Sequence, residues 1–320
     1  MLIDKTLPEL LEYKGINECP EDIDEFWDKS VEQMRALGTD CELIPWDFKF
    51  PGVECYDLYF TGMGGARIHA HFCKPEHING KAPLVLKFHG YTSHCGSFSS
   101  IMQWAAAGVC VAALDCRGQH GLSEDNGQVL GNTFHGLIIR GLDNHDPEKL
   151  VFRNVFLDTA QLAYILMAMP YIDETRVAAY GGSQGGGLTL ACAALVPEVK
   201  VAAPVYPFLS DYRRVWEMDL DVDAYQELKD YFRHMDPLHE HEKEIFTMLG
   251  YIDVHNLAHR IKAKVRMYTG MMDVTVPPST QFAAFNAIPG EKDYRIYYDF
   301  AHEELPLQED DTFRFILENI

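Results

Sequence analysis

Residues 177–190 read VAAYGGSQGGGLTL, one serine set among five glycines between two apolar runs. The run before it is rich in Val, Ala and Tyr and short enough for a buried strand. The run after it continues as a helix. A serine could fill such a turn as a solvated polar residue. The flanks favour another reading, because Gly181-Gly182-Ser183-Gln184-Gly185 matches G-x-S-x-G at a junction of strand and helix. That setting is a nucleophile elbow, where small neighbours let the serine hydroxyl stand clear of the sheet. The backbone N–H of Gln184, at the start of the new helix, then points where an oxyanion would form.

Outward from the elbow the same grammar repeats. The short apolar runs 83–88, 109–114, 176–180, 200–205, 264–269 and 294–298 alternate with helical segments. Unbroken β-runs separated by helices predict a parallel sheet covered on both faces. The alternating stretch 56–73, folded around a Gly-rich turn, predicts an antiparallel hairpin at one edge. The fold class expected is α/β, a mostly parallel doubly wound sheet of α/β-hydrolase type. The chain reads as a single domain over 1–320, with an N-terminal helical extension over about 1–40 and insertions near 115–152 and 206–260. Within the extension, Ile23, Phe26, Trp27, Met34 and Leu37 recur at helical spacing.

A serine nucleophile needs a base, and the base needs an acid to orient it. In α/β hydrolases these follow in the order serine, acid, histidine, each on a loop after a strand. Among 14 histidines, His302 alone sits between the last predicted strand and the last helix. Asp273 follows the run 264–269, ahead of Pro277 and Pro278, which suit the first positions of a helix. Asp299 is the rival acid, but it lies too close to His302 in sequence to reach across to its ring. After the run 83–88 come His89, Gly90 and Tyr91. The Tyr91 N–H is the expected second oxyanion donor, and His89 is expected to brace the loop. Arg117, directly after Cys116, is expected to be buried and to need a carboxylate. Glu303 is the partner read for it.

Composition narrows the function classes. The chain has 320 residues, 27 basic against 48 acidic, for a formal net charge of −21. Nucleic acid and anionic membrane surfaces both need a positive footprint, so neither is an expected partner. A neutral or cationic substrate fits the charge better than a phosphorylated one. The N-terminus carries acids where a signal peptide needs a basic start, and the longest apolar runs are too short to span a bilayer. Eight cysteines without a C-x-x-C spacing indicate reduced thiols and a cytoplasmic protein. His255 and His259 stand four apart on a possible helix, but no third ligand accompanies them, so no metal site is read.

Three short motifs taken together, Arg117-Gly118-Gln119, Gly181 to Gly186 and His302-Glu303, resemble the hallmarks of a known group. That group is the acetyl xylan esterase/cephalosporin-C deacetylase family, carbohydrate esterase family seven of the α/β hydrolases. The flanking text LDCRGQ, GLIIRG and PFLSDYRR is similar as well. The resemblance implies a serine esterase acting on acetylated xylo-oligosaccharides and cephalosporin C. It places the triad on Ser183, Asp273 and His302 and the oxyanion donors on Tyr91 and Gln184. Tyr91 also falls at the substrate, and Arg117, Gly118, Gln119 and Glu303 support the site. It implies no cofactor, and a homohexamer built as a trimer of dimers. HGLSEDNG after the first motif and Tyr206 before PFLSDY depart from the family's usual text, which bears on substrate preference. The remaining alternatives are an aryl esterase, a prolyl-oligopeptidase-type peptidase, or a non-catalytic binding protein on the same fold.

Overall fold

The computed structural model describes residues 3–128, 130, 137–220 and 222–320. Its strands are β1 (Cys41–Pro45), β2 (Val53–Thr61), β3 (Arg67–Pro75), β4 (Ala82–Phe88), β5 (Cys110–Leu114), β6 (Ile172–Gly182), β7 (Val199–Val205), β8 (Lys264–Gly270) and β9 (Lys292–Tyr297). Together they form one sheet in the order β1-β2-β3-β5-β4-β6-β7-β8-β9. The pairs from β5 through β4 to β9 are all parallel, and β1, β2 and β3 are antiparallel. This is the α/β-hydrolase arrangement, and each sequence-read β-run falls on a strand.

One strand was not legible. The hairpin β2–β3 is at the antiparallel end, as expected, but β1 pairs along β2 and forms the true edge. Its five residues, CELIP, are short and end in proline, so they carry little periodic signal.

The helices are α1 (Leu7–Glu12), α2 (Ile23–Arg35), α3 (Met102–Ala106), α4 (Val151–Met167), α5 (Gln184–Leu195), α6 (Tyr212–Glu217), α7 (Gln226–His234), α8 (Glu242–Gly250), α9 (Val254–Leu257), α10 (Pro278–Ala287) and α11 (Gln308–Asn319). Alternation along β4 shows how they cover the sheet. Leu84 and Leu86 pack into the cluster that holds α2, α4 and α5 residues, while Val85 packs with Trp104 of α3 and Phe315 of α11. In α2, Ile23, Phe26, Trp27 and Met34 are buried as their spacing requires. Full burial of such a side chain stabilises by about 1.5–3 kcal/mol. Trp27 also stacks on Phe156 with ring centroids 5.7 Å apart and donates its Nε1–H to Tyr251 O at 3.0 Å. Leu37 lies past the end of α2 and is exposed.

Within the insertion near 115–152, the sequence GNTFHGLIIRG reads as an apolar patch on Phe134, Leu137, Ile138 and Ile139, awkward on a monomer. Phe134 lies outside the described residues. Leu137 and Ile138 are buried in the chain's own core, and Ile139 is half-buried against it. Glu227 of α7 accepts the Ile138 N–H at 2.6 Å and ties this part of the segment to the second insertion.

Helix α5 approaches β4 closely enough that Gly185 has no room for a side chain. A Cβ there would lie 2.1 Å from the Phe88 carbonyl oxygen, a backbone atom that cannot swing away. Gly185→Ala should therefore cost about 1–3 kcal/mol of overpacking, read as a lower urea midpoint. An unchanged midpoint would contradict this packing.

Candidate active site

Ser183 sits between β6 and α5 with φ 59° and ψ −122°. A non-glycine residue rarely adopts positive φ, and such strain persists only when the surroundings over-determine it. Here they do. The Ser183 N–H donates to Val205 O at 3.0 Å, and its carbonyl accepts from Gly186, Gly187 and Phe208 at 2.9, 3.1 and 3.0 Å. Neighbouring β7 and the loop after it thus hold the turn from one side, and α5 from the other.

His302 lies on the loop between β9 and α11. Its Nε2 is 3.0 Å from Ser183 Oγ, and its Nδ1 is 2.8 Å from Asp273 Oδ2. Asp273, on the loop after β8, is fully buried. Its second oxygen accepts the N–H groups of Thr275 at 3.0 Å and Val276 at 2.8 Å. Pro278 opens α10 directly beyond, at the position where proline is tolerated. Asp299 is exposed and takes no part in this chain of contacts.

Gln184 and the loop that carries Tyr91 both lie next to Ser183. Gln184 is the first residue of α5, so its N–H has no intrahelical acceptor. On the other side, a Cβ built on Gly90 would lie 4.0 Å from Ser183 Cβ, which puts the loop bearing Tyr91 beside the nucleophile turn. His89 braces that loop. Its Nε2 accepts the Cys116 N–H at 3.0 Å, and the opposite nitrogen, as N–H, donates to Gly90 O at 2.7 Å. Burial pushes the His89 pKa down, which suits a neutral ring with one donor and one acceptor.

The motif at 117–119 is built differently from the expectation. Arg117 does not meet Glu303. Its Nε and Nη2 bond both oxygens of Asp158, on α4, at 2.6 Å each, and its Nη1 donates to Met63 O at 3.0 Å. Glu303 is exposed and, among the described residues, accepts the nearby Ala301 N–H at 3.0 Å. Burial pushes the Asp158 carboxyl up, and the guanidinium opposes that rise. The planar fork of Arg117 matches a carboxylate bidentately, which a partner on the His302 loop could not reach from this depth. Asp158 had a signal of its own, a lone acid in the apolar stretch VFLDTAQLA, where burial demands a cation. Gly118 turns the chain at φ 70°. Gln119 Nε2 then donates to Gln184 Oε1 at 2.6 Å, and Gln184 Nε2 donates back to Gln119 Oε1 at 3.1 Å. The motif therefore reaches the nucleophile turn through one reciprocal amide pair.

Two further residues complete the surroundings. The Tyr206 ring packs on His302 with centroids 4.5 Å apart and faces Gly182. Burial, with a smaller push from Asp273, raises its phenol, so it stays a neutral O–H. The Tyr91 hydroxyl bonds Glu227. Beside it opens a recess of about 310 Å³ whose walls include Tyr91, Asp223 and Asp230. A larger cavity of about 450 Å³ lies behind the turn, between the sheet and α3 and α11, and Ser183 and His302 do not line it.

Known proteins share this chain's sequence and fold. It matches the acetyl xylan esterase (AXE1) family over residues 1–319. The chain belongs to the acetyl xylan esterase family. Acetyl xylan esterase 1 from Thermoanaerobacterium sp. JW/SL YS485 is 53% identical with a TM-score of 0.96, covering 98% of this chain and 99% of that one. The acetyl xylan esterase from Paenibacillus sp. R4 is 35% identical with a TM-score of 0.93, covering 99% and 100%. Acetyl esterase Axe7A from Xylanibacter ruminicola is 26% identical over 295 residues, which are 89% of this chain but 64% of that protein.

The Arg117–Asp158 pair yields a direct measurement in this family member. Removing either partner leaves a buried charge and should cost about 3–5 kcal/mol. Urea stabilities of Arg117→Met, Asp158→Asn and the double variant form a cycle that should show strong coupling. The same cycle with Glu303→Gln should show none. Coupling to Glu303 instead would overturn the assignment.

Proposed function

We propose that the chain is a serine carboxylesterase that removes acetyl groups from small molecules, with Ser183 as nucleophile, His302 as base and Asp273 as orienting acid. The unbroken contact from Ser183 Oγ through His302 to buried Asp273 is the observation that carries this reading. Ser183 Oγ attacks the acetyl carbonyl while His302 Nε2 takes its proton. The tetrahedral oxyanion accepts the N–H groups of Gln184 and Tyr91. His302 then gives the proton to the departing alkoxide, leaving an acetyl-enzyme and a free alcohol. Water, deprotonated by His302, attacks the acetyl carbon, and acetate leaves as Ser183 is restored.

Acetylated xylo-oligosaccharides and cephalosporin C are the substrates the family suggests. The recess beside Tyr91 favours the first, since Asp223 and Asp230 accept hydrogen bonds from sugar hydroxyls and repel an anion. Ser183→Ala and His302→Ala should each lose kcat by on the order of 10⁶-fold, and the double variant little more, because the triad acts as a unit. Acetyl aryl esters should be cleaved faster than butyryl, and octanoyl slowest. Near-wild-type activity in Ser183→Ala would falsify the assignment, and preference for octanoyl esters would favour a broader α/β hydrolase.

We place the protein in a reducing, cytoplasmic compartment. Its eight cysteines are free thiols, six of them buried, including the cross-strand partners Cys55 and Cys73. Among the described residues no helix is long and apolar enough to cross a membrane.

The working form we propose is a homohexamer, a trimer of dimers. Support comes from the family resemblance and from the edge of the sheet, where β1 leaves its outer hydrogen-bonding groups open. Ile44 is exposed there, and Phe48 and Phe50 of the following turn are 58% and 41% exposed. Light scattering at micromolar concentration should give several times the 36.4 kDa chain mass. Activity should fall from acetylated disaccharides to intact acetylated xylan, as an enclosed cavity requires. A monomer equally active on both would refute the closed assembly.

A further inference from the structure

The antiparallel end of the sheet holds a second cluster of chemically competent side chains, away from Ser183. On β3, His69 and His71 are two residues apart and so share one face. Asp57 on β2 stands directly opposite His71 in the strand register. His69 Nε2 is 2.8 Å from Asp57 Oδ1, and His71 Nε2 is 3.5 Å from the same oxygen. These three atoms converge within 4.8 Å of one another.

Behind them is a supporting carboxylate. Asp115, at the carboxyl end of β5, holds His69 Nδ1 at 2.6 Å. Asp115 is itself fixed by the N–H groups of Cys95 at 2.6 Å and Leu122 at 2.9 Å. A carboxylate on the far nitrogen of an imidazole sets the ring so that its other nitrogen faces outward, the arrangement found behind metal-bound histidines. His71 is steered by Phe98, stacked at 3.9 Å between centroids. Among the described residues its Nδ1 is buried with no hydrogen-bond partner, and its Nε2 has only the long approach to Asp57. The cluster is closed at the back and open at the front. Side-chain exposure is 1% for His69 and Asp115, 15% for His71 and 28% for Asp57.

We propose that Asp57, His69 and His71 bind one divalent transition-metal ion of the zinc class, with water completing the coordination and Asp115 orienting His69. Two imidazoles and one carboxylate suit zinc and its neighbours and do not suit calcium or magnesium, which take oxygen ligands. Bonds of about 2.0–2.1 Å in tetrahedral geometry put ligand atoms roughly 3.3–3.5 Å apart. The Asp57–His71 separation already matches. The Asp57–His69 contact opens by about half an ångström when an ion replaces the proton between them, measured against the same geometry. In sheet order β3 is three strands from β6, roughly 14 Å at ordinary strand spacing. The ion therefore acts as a strut, joining β2 and β3 to the start of the 115–128 segment, and takes no part in acyl transfer.

The test uses the full chain, stripped with a chelator and titrated with Co²⁺ alone. One equivalent should give the visible absorption of four- or five-coordinate Co²⁺, and Zn²⁺ should displace it. Zn²⁺ should also raise the melting temperature of the wild type. His71→Ala and Asp57→Asn, both partly exposed positions, should each weaken binding at least tenfold and lose the thermal shift, while esterase activity without metal stays as in the wild type. Absence of the band and of any shift at millimolar metal would overturn the proposal. So would equal binding by the double variant, which would place the ion on other histidines. Neither result bears on the Ser183 reading, which is scored by activity.

Discussion

The left-handed backbone of Ser183 is the constraint on which the rest of the molecule depends. A serine at φ 59° is unfavourable by itself, on the order of 1–3 kcal/mol, and the sheet must hold it there. It does so with four backbone hydrogen bonds drawn from the end of β7, the loop after it and α5. Those bonds require α5 to pass within contact distance of β4 and of the loop after β7, and a Cβ at Gly185, Gly186 or Gly187 would strike a backbone carbonyl. The glycines around the serine are thus consequences of one strained residue. They supply close approach between a helix and two strands, and only then exposure of the hydroxyl.

What the turn needs next is a fixed neighbour on each side. His89 ties the ends of β4 and β5 together, and the Gln119–Gln184 amide pair ties the segment after β5 to the first residue of α5. Arg117 anchors that segment in turn, through Asp158 to α4 and through Met63 to the hairpin turn. Each link reaches the Ser183 turn through backbone or amide geometry rather than through charge near the hydroxyl. The buried ion pair is kept one layer back, where its strong field does not compete with the N–H groups that would receive an oxyanion.

The sequence disclosed the parts of this design that obey local rules. Parallel strands appear as uninterrupted apolar runs, and Ser183, Asp273 and His302 follow strand ends in a fixed order, so all three could be named from position. Partnerships set by packing were not legible in that way. Glu303 offers itself to Arg117 in sequence because it adjoins His302, whereas Asp158 is reached only once α4 is laid on the sheet. Leu137 and Ile138 sit in a long segment without periodicity, which gives no clue to which side faces inward. Both errors have one origin: a side chain's distant neighbour is a property of the assembled layers. The acid in VFLDTAQLA was the exception, since a carboxylate in a buried helix announces that a cation must be near.

The burial of Asp273 closes the argument about why the acid belongs on the loop after β8. A fully buried carboxylate is costly unless its oxygens are occupied. The tight turn into α10 presents the Thr275 and Val276 N–H groups to one oxygen, and the other meets the His302 ring as its one donor among the described residues. Moving the ring away would take that donor from the oxygen. The imidazole is therefore held in orientation by the same penalty that burial imposes on its acid. Asp299, exposed on the histidine's own loop, would accept water as readily as a ring nitrogen and would hold nothing in place. Depth, more than proximity in the chain, is what makes an acid able to aim a base.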